Sequence, residues 1–144
     1  MKIAMMIALP IAVLGAGTLA GAKDASLLQP GEYRVTIGLQ LPHMEGVAGA
    51  EVHTICVRAG DTGTHGLVAL SDHNPLRQCP ASNVLQSRDG LRFDIVCPGS
   101  DAAVGTAQYT MQAHRFDGAI TVKMGGKNMT MTERQSGRRV GYCK

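Results

Sequence analysis

The residues with the least ordinary chemistry in this chain of 144 are its eight methionines and five histidines, set in a sequence with no Trp. Met124, Met129 and Met131 fall within eight positions of one another, and Met44, Met111 and the adjacent His43 add to them. A thioether is soft, and a cluster of thioethers suits copper(I), so these six residues form a candidate copper site. The competing reading is structural, because Met fills gaps in a core short of aromatic side chains. The histidines, His43, His53, His65, His73 and His114, make no H-x-H or H-x-x-x-H spacing. A metal site built on them would have to be assembled from distant loops, and solvated loop histidines are the plainer account. Ser71-Asp72-His73 brings nucleophile, acid and base types together in sequence and marks the loop 60–74 as a candidate hydrolase site. Triads are spatial arrangements that sequence neighbours seldom make, and no G-x-S-x-G elbow is present. Glu32, Glu45, Glu51 and Glu133 are dispersed, so no carboxylate pair stands out for acid and base work. No catalytic residue and no cofactor is assigned, and a non-enzymatic role is expected.

Charge adds one more candidate. Arg134, Arg138, Arg139 and Lys144 crowd the end of the chain and would suit an anionic partner, such as a lipid head group or a cell-wall polymer. The alternative is an edge strand whose charges discourage pairing with a second molecule. The net charge of +3, or +2 without Lys2, is too small and scattered to point to nucleic acid.

Compartment follows from the start of the sequence. Lys2 precedes an apolar run over 3–14, and Ala20-Gly21-Ala22 closes it before the first charged pair, Lys23-Asp24. That is the pattern of a cleavable signal peptide over 1–22 and a single mature domain over 23–144. The run is too short for a membrane span, and no Cys lies near the cleavage site to carry a lipid. A periplasmic protein, neither lipoprotein nor membrane-spanning after cleavage, is expected.

Four cysteines in a short exported chain imply two disulfides. Three connectivities are possible. Asp89-Gly90 has the form of a hairpin turn midway between Cys79 and Cys97, which favours that pair and leaves Cys56 with Cys143. A four-cysteine zinc site would need close C-x2-C pairs, and these cysteines are far apart.

The elements that would position all of these residues are short strands. Alternation puts Tyr33, Val35, Ile37, Leu39 and Leu41 on one face of a strand over 32–41, and β-branched residues suggest a second over 51–58. The stretch 59–77 is a glycine-marked loop in which 67–71 would make one helical turn before Asn74-Pro75. After the hairpin at Asp89-Gly90 comes a strand over 106–114, a turn at 116–118, a strand through Ile120, Val122 and Met124, a turn at 125–127, and a strand holding Met129 and Met131. A last strand over 140–143 would lie beside the second. The strand period places Met111, Met124, Met129 and Met131 on the packed side. The fold class is therefore all-β: an antiparallel meander of about seven or eight short strands, rolled into a sandwich or open barrel and stapled by two disulfides.

The order P-G-E-Y-R-V-T at 30–36, T-I-C at 54–56, an inner cysteine pair, D-G-A-I-T-V-K-M at 117–124, M-T-M-T at 129–132 and G-R-R-V-G-Y-C at 137–143 resembles a family of bacterial exported proteins, the domain of unknown function numbered 3617. The resemblance covers nearly all of 23–144. It implies an exported bacterial β domain with recurrent cysteines at Cys56, Cys79, Cys97 and Cys143, and it brings no activity and no catalytic residue. The expectation that results is a non-catalytic binding or envelope-associated protein. Its partner would be a small apolar ligand, a lipid or an envelope protein, with a copper-handling Met hairpin and a loop-borne hydrolase site as alternatives.

Overall fold

The computed structural model describes residues 28–43, 49–61, 63–99, 103–124 and 129–144. Among them are seven strands and no helix: β1 (Gly31–Gln40), β2 (Glu51–Val57), β3 (Ala81–Gln86), β4 (Gly90–Val96), β5 (Val104–Gln112), β6 (Arg115–Met124) and β7 (Met129–Gly141). All pair antiparallel in one open sheet of order β2-β1-β7-β6-β5-β4-β3. Strands β3 to β7 form the expected meander. The β1–β2 hairpin then attaches to the far side of β7, and β2 and β3 are left as the two edges.

Alternation explains which face packs. Tyr33, Val35 and Ile37 of β1, Leu91, Phe93 and Ile95 of β4, Ala107, Tyr109 and Met111 of β5, and Phe116, Ile120 and Val122 of β6 are buried. The segment 63–80 crosses that face toward the β3 edge and lays Leu67, Ala69 and Leu76 on it. Leu28 closes one end, where Tyr33 Oη donates to the carbonyls of Gln29 at 2.8 Å and Ala113 at 3.1 Å. Each large side chain buried here contributes about 1.5–3 kcal/mol, so one covered face is the core of the molecule.

Two glycines set the depth of that core. Tyr109 is the cross-strand partner of Gly118, and Phe116 the partner of Gly137. A Cβ at Gly118 would run into the Tyr109 ring, and one at Gly137 into the Phe116 ring. The missing side chains let the rings lie on the neighbouring backbone, where Tyr33, Phe116 and Tyr109 follow one another at centroid spacings of 6.1 and 5.9 Å.

Both disulfides join as expected from the hairpin argument: Cys79 with Cys97 at a Cα separation of 4.9 Å, and Cys56 with Cys143 at 5.5 Å. The first ties the crossover segment to the end of β4. The second ties the tail after β7 to β2 across the end of β1.

Several local expectations are corrected. The turn read at 116–118 lies instead at Ala113-His114, and Phe116 to Gly118 are paired β6 residues, because Gly118 serves the Tyr109 ring and not a bend. The stretch 67–71 makes no helical turn. Of the strand expected over 140–143 beside β2, Val140 and Gly141 are the end of one long β7, which β1 separates from β2, while Tyr142 and Cys143 follow it outside any strand. Met111 and Met131 are buried and Met124 packs against the core, but Met129 is half exposed near the strand end. The turn expected at 125–127 lies outside the described residues.

Candidate functional site

Under the crossover segment the packed face is polar at its centre. Strand alternation places Glu133 and Gln135 of β7 on the same side as Met131, and both are buried. The Glu133 carboxylate accepts hydrogen bonds from Leu70 N at 2.9 Å, Ser71 N at 3.4 Å, Asn74 Nδ2 at 2.5 Å and Gln135 Nε2 at 2.7 Å. Gln135 Nε2 also donates to the Val68 carbonyl at 2.7 Å, and its Oε1 accepts from Tyr109 Oη at 3.0 Å. Burial, helped by the negative charge of Glu133, pushes the Tyr109 phenol far above its ordinary range. A buried carboxylate with this many donors acts as a bolt, fixing a loop without secondary structure to the sheet.

Ser71 extends the bolt to the sheet edge. Its Oγ donates to Glu51 Oε1 at 2.7 Å and accepts from His73 N at 3.2 Å, while His53 Nε2 lies 3.2 Å from Glu51 Oε2. The Ser71 hydrogen bond is the main cause of the lowered Glu51 pKa, with the bond to His53 adding to it. Thus the fold brings together Ser71, Glu51, His53 and Glu133, which the sequence had shown only as dispersed residues. Their hydrogen-bonding capacity is directed inward: the Ser71 hydroxyl is fully buried and its proton is held by a carboxylate. His73 and Asp72 are exposed, and Asp72 pairs with Arg77 instead of His73. The signal that would have placed Glu133 and Gln135 is their spacing of two and four from Met131.

His65 is a second buried polar group. Its Nε2 meets Gln86 Nε2 at 2.9 Å, its Nδ1 has no hydrogen-bond partner among the described residues, and burial lowers its pKa below 6.5.

The methionine set is divided by the register. Met124 and Met129 are cross-strand partners and Met131 is two positions further along β7. Met111 is paired with Phe116 at the opposite end of β6, about 25 Å from Met124 at strand rise. His43 is exposed in the turn after β1 with φ 63°, and Met44 lies outside the described residues. Among the described residues no three His, Cys, Asp or Glu side chains form a metal-binding group.

The other face of the sheet carries no covering segment among the described residues. Its residues stand in rows across the strands: Thr36, Ser136, Asp117 and Thr110 in one, and Gln40, Thr132, Thr121 and Thr106 in another. One row is cationic. Arg34 of β1 is opposite Arg138 of β7, and Arg138 is opposite Arg115 of β6. Thr54 and Gln112 continue this row on either side, and an open groove of about 450 Å³ lies where Arg115 and Arg138 meet His114 and Gln112. Of the basic terminal residues, Arg139 donates to the Pro30 carbonyl and lies over the Tyr142 ring, and Arg134 donates to Gln40. Arg138 has no side-chain partner among the described residues. Because β7 is an interior strand, protection of a sheet edge does not account for these charges.

No helix among the described residues is long and apolar enough to cross a membrane, and two disulfides fit an oxidising, extracellular or periplasmic environment. No curated protein matches the chain, and no solved structure does. The family model described as protein of unknown function (DUF3617) matches residues 28–143, a span that begins at the buried Leu28 and ends at the disulfide-bonded Cys143. The resemblance first read from scattered motifs therefore covers the whole sheet, and the chain belongs to the family of proteins of unknown function DUF3617.

Proposed function

We propose that this is an exported, non-catalytic binding domain of the bacterial envelope, with a signal peptide over 1–22, a mature domain over 23–144, and the uncovered face of its sheet as the binding surface. The observation that carries this reading is the contrast between the two faces. The apolar face, where a small apolar ligand would have to enter, is filled by Leu67, Ala69 and Leu76 and locked by Glu133. The opposite face presents polar side chains from interior strands, which leaves a broad surface available to an envelope partner. The buried, fully hydrogen-bonded Ser71 supports a non-catalytic role.

A second reading, copper(I) handling, draws on the cross-strand pair Met124 and Met129 with Met131 beside them. Retention of copper through gel filtration, lost in Met129→Leu with Met131→Leu, would favour it over the first.

The test of the first reading is methyl NMR of the mature domain titrated with a soluble envelope extract. Shifts are expected at Thr36, Ala119, Thr121 and Thr132 on the open face, with Ile37, Ile120 and Val122 unchanged. Shifts confined to the packed-face methyls, or turnover of a substrate that is lost in Ser71→Ala, would overturn it.

A further inference from the structure

We infer that the row Arg34, Arg138 and Arg115 is a binding site for a linear acidic polysaccharide; the inference rests on the open face being the binding surface. Three facts carry it. First, the arginines are direct cross-strand neighbours on consecutive strands, so their Cβ atoms are about 5 Å apart, a placement that works against folding through like-charge repulsion. Second, nothing among the described residues relieves that repulsion. Glu32 and Asp117 are the acids nearest in the strands, two residues from Arg34 and from Arg115, yet among the described residues neither forms an ion pair with the row. Arg115 Nε donates to Gln112, while Arg34 and Arg138 have no side-chain partner among the described residues. Third, the row is flanked mainly by hydrogen-bonding groups: Thr54 and Gln112 continue it, and Thr36, Ser136 and Asp117 form the next row, which ends at the exposed Val52 on the β2 edge.

The form of the site selects the ligand. Guanidinium groups bind carboxylates through paired N–H donors, and three of them at strand spacing span about 10 Å in a line across the sheet. A polymer with one carboxylate on each sugar repeats its charge at about the length of a sugar ring, comparable with the spacing between strands, and its hydroxyls would meet the Thr and Ser side chains. A lipid surface would call for several apolar or aromatic side chains to insert among the bases, and the neighbouring row offers one, Val52, at its outer end on the β2 edge. Repulsion left unrelieved in the free protein would be discharged by the bound anion, so binding and stability are coupled at these positions.

The experiment uses polygalacturonate as the probe and dextran as the neutral control, with titration of the disulfide-intact mature domain at low ionic strength. Binding to polygalacturonate and not to dextran is expected, weakened at least 10-fold by Arg138→Gln, and with a salt dependence that falls by about one ion per arginine removed. Arg88→Gln, an exposed turn position with the same change of charge, should bind as wild type. The melting temperature of Arg138→Gln should rise by roughly 1–5 °C in the absence of polymer, since two like-charge contacts disappear. Equal weakening by Arg88→Gln and Arg138→Gln would overturn the site, as would a lowered melting temperature with unchanged binding. Binding to vesicles of equal parts phosphatidylcholine and phosphatidylglycerol, without binding to the polymer, would overturn the choice of ligand. Envelope extract that shifts the open-face methyls while polygalacturonate does not would sink this inference alone; absence of both would remove the reading beneath it.

Discussion

Replacing Glu133 probes the central device of the fold. In Glu133→Ala the amides of Leu70 and Ser71 and the side chain of Asn74 lose their acceptor, while Gln135 keeps the Val68 carbonyl. A buried donor left unsatisfied costs about 1–3 kcal/mol, and water entering the vacated space would recover part of that for three donors. A net loss of about 3–5 kcal/mol is expected, the range for opening a buried charged network from one side. Glu133→Gln separates hydrogen bonding from volume. Its oxygen can keep the three bonds made by Oε1, but its NH2 then faces Asn74 Nδ2. Asn74 cannot turn its amide round freely, since its Oδ1 accepts from Leu76 N at 2.9 Å. One donor clash remains and predicts a loss of about 1–3 kcal/mol. Urea unfolding of the disulfide-intact protein measures both, and amide exchange at Leu70 and Ser71 should speed up in step. A Glu133→Ala protein within about 1 kcal/mol of wild type would refute the bolt, because no set of three orphaned buried donors is that cheap.

Three further outcomes can be checked by stability measurements. Gly118→Ala and Gly137→Ala should each cost about 1–3 kcal/mol by overpacking against Tyr109 and Phe116, and thermal unfolding with no loss for either would contradict the ring-on-backbone contact. Burial lowers the His65 pKa from 6.5, so as pH falls through that value the unfolded chain binds a proton that the folded chain refuses. Stability should decline from about pH 6.5 downward, and His65→Asn, which suits the φ of 55°, should flatten that slope in urea titrations; an unchanged slope would assign it to other groups. Removing the Cys79–Cys97 bridge by paired Ala substitution frees a closed loop with a sequence separation of 18 and should cost about 3 kcal/mol in the chain-entropy account, against about 4.5 kcal/mol for Cys56–Cys143 with its separation of 87. Equal losses for the two bridges would argue against that account.

How far the sequence could be read depended on whether neighbours in sequence were also neighbours in the sheet. The alternation of Tyr33, Val35 and Ile37 was legible because it reports only one strand's two faces. The β3–β4 hairpin was legible because Asp89-Gly90 and two cysteines mark it locally. Gly118 misled, since a glycine under a cross-strand ring and a glycine in a turn look alike until the partner strand is known. Glu133 was missed for a related reason: a carboxylate is assigned to solvent by type, and only its spacing from Met131 placed it inward. The arginine row is invisible in sequence, as Arg34, Arg115 and Arg138 come from three strands whose order is set by β1 joining β7. That same joining removed the edge-strand account of the terminal charges.

The pairing of β1 with β7 also governs the order in which the molecule can be made. The β1–β2 hairpin is synthesised first, yet its neighbour in the sheet is the last strand of the chain. Until β7 exists, β1 has an unpaired edge, and Cys56 waits as a free thiol while Cys79 and Cys97 arrive within reach of it. The hairpin bridge closes a short loop and forms readily; the other can form only after nearly every residue is in place. Closure of the Cys56–Cys143 bridge is therefore the late covalent step, and any earlier pairing of Cys56 with Cys79 or Cys97 has to be exchanged before it can form.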